Sequence, residues 1–207
     1  MEDKMIRMEL EAFAGALASK APTPGGGGAS ALCGALAAAL GGMVCALTSG
    51  KAKFAPVQPE LDRISDRAAQ LRTELLALID GDAEAFAPLA RAYSLPKDAP
   101  DREEITEKCL ADAAEAPMKI LRCCCEVIGL MEELSPICSR LAVSDVGTGA
   151  VLAWGAMYGA AMNVLVNTKL MNNRERAEAM NAEVRELMGS YWQTADRVYE
   201  DIFSSLS

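Results

Sequence analysis

Two long stretches of this chain, residues 21–50 and 146–168, contain no charged residue and consist largely of alanine, glycine and other small side chains. A segment of that length and composition either crosses a bilayer or is a helix enclosed by other helices. In the first stretch Ser30, Gly34, Ala38, Gly42 and Ala46 recur at every fourth position, and the second contains Gly155-x-x-x-Gly159. Both patterns let helix axes approach closely. Alanine and glycine, however, supply little free energy of transfer into lipid compared with leucine, isoleucine or phenylalanine. Asn163 and Asn167 would also need hydrogen-bonding partners there. The stretches therefore read as two central, small-residue-rich helices of a water-soluble bundle.

The rest of the chain supplies the surrounding helices. Ile6, Leu10, Phe13 and Leu17 fall on one helical face, and that helix ends near "SKAPTPGGGG", where prolines and glycines predict a loop. A second helix is expected over about residues 29–49, followed by a basic loop, "GKAKFAPVQP". Leu61, Ile64, Ala68, Leu71, Leu75 and Leu78 define an amphipathic helix reaching at least Asp80, with Gly81 and Pro88 expected to interrupt or kink it. After the linker "YSLPKDAP", helices are predicted over about 101–131, with a bend at Pro117, over 146–168, and over 174–203. In the last, Met180, Val184, Leu187, Tyr191, Val198 and Ile202 share a face. Apolar residues make up 51% of the chain but aromatics only 5%, and β-branched residues are scattered. The fold class is therefore all-α: a helical bundle of six or seven helices, forming a single domain over residues 1–207. The charged opening "MEDKMIRMEL" lacks the apolar core of a signal peptide.

Composition also excludes chemistry. A net charge of −9 leaves no basic footprint for nucleic acid. The chain has no histidine, so a histidine-dependent triad is ruled out and proton transfer falls to Asp, Glu, Lys, Cys or Tyr. Seven cysteines without a C-x-x-C pair argue against a zinc site or a disulfide framework, and for small buried side chains in a reducing cytoplasm. The glycine run follows a helix rather than a strand, which excludes a dinucleotide fingerprint. "TSGKA" fails as a Walker loop because Cys45 and Ala52 stand where glycine and Ser/Thr are required. What remains is a glycine loop opening onto a helix N-terminus. It is either a plain linker or a site whose N–H groups receive an anion or a polar carbonyl.

Three segments, "PTPGGGGASALCGALAAALGGMVCALTSGK", "LIDGDAEAFAPLARAYSLPK" and "SDVGTGAVLAWGAMYGAAMNVLVN", occur in this order across nearly the whole chain. Together they resemble the cyclodeaminase/cyclohydrolase family. That family includes the C-terminal domain of formiminotransferase-cyclodeaminase and stand-alone methenyltetrahydrofolate cyclohydrolases. The resemblance implies a cytoplasmic, all-helical homodimer acting on a tetrahydrofolate derivative, with or without a polyglutamate tail. It implies no metal, no nucleotide and no cofactor beyond that substrate. Members either hydrolyse 5,10-methenyltetrahydrofolate to 10-formyltetrahydrofolate or close 5-formiminotetrahydrofolate with loss of ammonia. A stand-alone chain favours the hydrolase, with the deaminase and a non-catalytic folate-binding or assembly protein as alternatives.

Carried onto this sequence, the glycine loop is Gly25, Gly26 and Gly27. Gly28 stands where the family usually has serine, and Ser30 is the nearest hydroxyl that could take over its contact. The basic loop is thinned to Lys51 and Lys53, candidates for the glutamate tail. Without histidine, a buried carboxylate is the natural proton carrier. Asp82, beside Phe86, is the first candidate, with helix capping as its competing role. Asp145 in "SDVG" is the second, again against capping. Asn163 and Asn167 lie four apart on one face, suited either to the pterin edge or to hydrogen bonds between helices.

Overall fold

The computed structural model describes residues 4–207. Among them are six α-helices and no strand: α1 Leu10–Leu17, α2 Gly26–Thr48, α3 Gln58–Tyr93, α4 Arg102–Leu134, α5 Val143–Leu170 and α6 Arg174–Leu206. α2 and α5 are long and apolar enough to cross a bilayer. In the bundle, however, Ala31, Ala35, Val44, Ala150, Ala153 and Val164 are buried. The two helices lie side by side and antiparallel. A Cβ added at Gly26 would meet Asn163, one at Gly159 would meet Ser30, and one at Gly149 would lie 3.6 Å from the Ala37 carbonyl oxygen. On another face of α2, a Cβ at Gly34 would fall 2.8 Å from the Cys124 Sγ of α4 and 3.3 Å from Leu75 of α3. Small residues here set the distances between helix axes.

The four-residue ladder predicted along α2 is only half realised. Ser30, Gly34 and Ala38 are buried, but Gly42 is half-buried and Ala46 exposed. Each four-residue step overshoots the helical turn by about 40°, so a strict ladder rotates out of a straight contact. The buried line continues instead through Gly41, Val44, Cys45 and Thr48.

Three other expectations change. The glycines are not a loop: α2 begins at Gly26 rather than near residue 29, because nothing in three glycines forbids helical dihedrals once the turn is packed. α3 runs unbroken through Gly81 and Pro88 to Tyr93. Pro88 costs the helix only the i−4 bond to the carbonyl of Glu84, a residue exposed to water. Finally, the N-terminal face docks only through Phe13; Leu10 is 75% exposed and Ile6 belongs to a separate 3-10 turn. Pro117 lies within α4 as expected, and α4 continues to Leu134. All seven cysteines are free, and burial pushes the thiols of Cys45 and Cys123 up to about 11 and Cys125 up to about 12.

Candidate active site

The first turn of α2 leaves its leading N–H groups without partners inside the helix. Gly25, the N-cap, has no side chain to offer them. A carboxylate from the neighbouring helix α3 fills that role. A Cβ added at Gly27 would collide with both carboxylate oxygens of Asp82, so only glycine lets the carboxylate rest against the turn. The Gly28 backbone N–H lies toward Asp82 and favours its charged form. Burial raises the pKa of Asp82 above its ordinary 3.8, and the Gly28 N–H opposes that rise without cancelling it. The other aspartate of "DGD" serves elsewhere. Asp80 Oδ1 accepts the Met5 N–H at 2.7 Å and ties down the N-terminal segment.

In front of Asp82 lies a pocket of about 160 Å³. Its walls are Pro22, Thr23, Gly25 and Gly26 before and at the start of α2, Asp82 and Phe86 from α3, Ala113 and Pro117 from α4, and Asn163, Val166 and Asn167 from α5. Asp82 is the sole ionisable side chain among them. Asn163 Nδ2 donates to the Gly159 carbonyl and Asn167 Nδ2 to the Asn163 carbonyl, both at 2.8 Å. These bonds lie within α5 rather than between helices. They hold the two amides in place and leave a second N–H and an acceptor oxygen on each. Behind Phe86, a small apolar cluster of Leu89, Leu110, Ala111, Ala113, Met171 and Ala177 backs the pocket.

The structure thus brings Gly25, Gly26, Asp82, Asn163 and Asn167 into one cavity, with Gly27 directly behind the carboxylate. Ser30 is not in it. Its hydroxyl donates to the Gly26 carbonyl at 2.7 Å and is pressed against Gly159. Asp145 lies in the first turn of α5, about 27 Å along that helix from Asn163. Lys51 and Lys53 follow the far end of α2, about 35 Å from its N-terminus. Lys51 Nζ donates to the Leu47 carbonyl at 2.5 Å, and Lys53 sits 5.3 Å from the Phe54 ring.

Sequence reasoning missed Pro22, Thr23, Ala113 and Val166 as pocket walls, and took Pro117 only as a bend. The one signal available for the α4 wall was the proline itself, an interior helix breaker in an otherwise regular amphipathic pattern.

Taken together, the fold and pocket define a class: an all-helical bundle in which one carboxylate, half-buried at a glycine-built helix N-terminus, faces a small cavity of mixed polarity. Residues 9–186 match the formiminotransferase-cyclodeaminase family, and the chain belongs to it. It is 37% identical over 202 residues to methenyltetrahydrofolate cyclohydrolase of Methylorubrum extorquens, a match covering 96% of this chain and 97% of that one. It is 29% identical to pig formimidoyltransferase-cyclodeaminase, but spans only 36% of that longer protein. The crystal structure of formiminotetrahydrofolate cyclodeaminase from Thermotoga maritima superposes with a TM-score of 0.84 at 28% identity, covering 95% of this chain and 98% of the other.

Proposed function

We propose that this chain is a folate one-carbon enzyme that hydrolyses 5,10-methenyltetrahydrofolate to 10-formyltetrahydrofolate, with Asp82 as its proton carrier. The observation that carries this reading is the isolation of Asp82 as the only ionisable group lining the cavity. Its raised pKa brings it closer to the range useful for acid–base work. The full-length similarity to a cyclohydrolase supports the choice of reaction. The substrate carbon is an amidinium carbon, and a half-buried carboxylate complements its positive charge. Water adds to that carbon while Asp82 accepts a proton. The same proton then passes to the ring nitrogen that leaves, regenerating the carboxylate, and the carbinol hydroxyl loses its own proton to solvent as the C–N bond breaks and the formyl C=O forms. Asn163, Asn167 and the Gly26 N–H supply the polar contacts for the pterin edge. The reaction moves only water and protons, so the reading includes no cofactor beyond the folate itself.

The similarity to cyclodeaminases favours a second reading, ring closure of 5-formiminotetrahydrofolate with release of ammonia. There Asp82 would protonate the leaving nitrogen.

The reading extends to a cytoplasmic, single-domain homodimer. Free, buried thiols suit a reducing compartment. Leu36 and Leu47 of α2, and Met162 and Val166 of α5, are 49–59% exposed and lie on the two adjacent central helices. That apolar face suits a second copy of the chain. Val166 belongs both to this face and to the pocket wall, so the pocket opens at its edge. A two-fold axis across the middle of α2 would set the partner's Lys51 and the partner's Lys53 near the pocket, where they could meet a glutamate tail. Asp145 is left to the first turn of α5, where its charge favours the helix dipole.

The test follows methenyl absorbance in the near ultraviolet. Accelerated loss from 5,10-methenyltetrahydrofolate establishes the hydrolase; appearance from 5-formiminotetrahydrofolate, with ammonia, establishes the deaminase. Two traces indistinguishable from enzyme-free controls with folded protein would overturn both.

A further inference from the structure

Pro117 sits inside α4, within the pocket wall, with Ala113 one helical step of four residues before it and lining the same pocket. Proline carries no N–H, so the Ala113 carbonyl lacks the i+4 donor that every regular helical carbonyl receives. The proline ring also crowds that carbonyl and tilts it outward on the proline's own side of the helix, which here is the side that lines the pocket. Ala113 is only 5% exposed, so bulk water has little access to it. A buried carbonyl in this position is costly unless something donates to it.

We propose that the Ala113 carbonyl, freed by Pro117, is a specificity-determining acceptor that takes a hydrogen bond from an N–H donor of the substrate's ring. The inference rests on the folate reading above, since a pterin presents an amino group and a ring N–H along one edge. The opposite wall is complementary. The Gly26 N–H at the start of α2 can only donate, and the amides of Asn163 and Asn167 can do either. A backbone acceptor of this kind is invisible to side-chain substitution, except through the proline that exposes it.

The experiment compares wild type with Pro117→Ala, which restores the N–H and lets the helix close its own bond to Ala113. Binding of tetrahydrofolate and of its 2-desamino analogue, which lacks the amino donor, is measured by calorimetry. Circular dichroism and a thermal melt confirm that the variant is folded. Wild type is expected to prefer the amino compound by roughly threefold to tenfold, the range of one net hydrogen bond. Pro117→Ala is expected to bind the amino compound more weakly by a similar factor and to lose most of the preference. If the variant keeps the wild-type preference, the carbonyl is not the acceptor, even if affinity falls from loss of the ring's bulk. If wild type binds neither compound, the folate reading fails and this inference fails with it, an outcome distinct from retained preference. Should Pro117→Ala not fold, Pro117→Ser, which also restores the N–H, is held to the same criteria.

Discussion

At the scale of the residue, Asp82 is held by two opposed effects. Removal from water favours its neutral form, while the Gly28 N–H and the α2 N-terminus favour the anion; the first is the larger. This compromise is what a proton carrier needs, and it has a cost in stability. Because the folded-state pKa lies above the ordinary 3.8, the folded protein holds the proton more tightly than the unfolded chain. The stability from Asp82 is therefore present at low pH and is lost as pH rises from 3.8 through the folded pKa. Asp82→Asn keeps an acceptor for Gly28 without the buried charge. Its melting temperature should gain on wild type as pH is raised through that window, in paired melts from about pH 3 to 7. Turnover of the variant should fall by about 10² to 10⁴. In wild type, kcat/KM should decline on acidification with a midpoint above 3.8, the limb that Asp82→Asn removes. "DGDAEAF" marked Asp82 as a candidate, but no sequence pattern separates it from Asp80, whose carboxylate is engaged by Met5. Two residues apart on a helix, they point about 200° from each other, and only the neighbours on each side assign the roles.

At the scale of the element, the run of glycines is the first turn of a helix whose members do different work. At Gly27 an added Cβ would collide with the Asp82 carboxylate, whereas at Gly28 the nearest atoms are Pro24 Cβ at 3.6 Å and the Ile79 carbonyl oxygen at 3.7 Å, ordinary contact distances. Gly27→Ala should therefore displace the carboxylate and lower turnover by roughly a hundredfold, the scale for a misplaced catalytic group. Gly28→Ser should keep activity and add about 0.5 kcal/mol of stability from helix propensity. Steady-state assays and melts on the two variants check the contrast; equal loss in both would mean that the turn as a whole, not Gly27, holds the site. The sequence announced a helix in this region, but four glycines signal flexibility, and the helical state of the last three follows from packing against α3 and α5. Similarly, Pro88 looks like a break and is not one, because the carbonyl it frees belongs to exposed Glu84.

At the scale of the whole molecule, α2 and α5 together expose an apolar face. If the proposed dimer forms through this face, a charge placed there by Leu36→Glu, at a side chain 51% exposed, should leave the helical content intact and shift the protein from dimer to monomer in sedimentation velocity. If the basic loop of the partner serves the pocket, the same variant should also lose its preference for a polyglutamylated substrate, as should Lys51→Ala in the intact dimer. Periodicity and composition were enough to determine the helical class, the helix count to within one and the identity of the two central helices, because each depends on patterns repeated along many residues. The absence of histidine likewise confined the proton chemistry by itself. The tertiary structure alone decided which candidates share a cavity. Asp82, Gly26 and Asn163 come from three helices and meet because α2 lies antiparallel to α5 and against α3. Lys51 and Asp145 are carried to the far end by the lengths of those same helices. A helix translates each residue by a fixed rise, so sequence patterns can identify a face, but the side chains that converge across helices are set by direction and offset, which no single segment encodes.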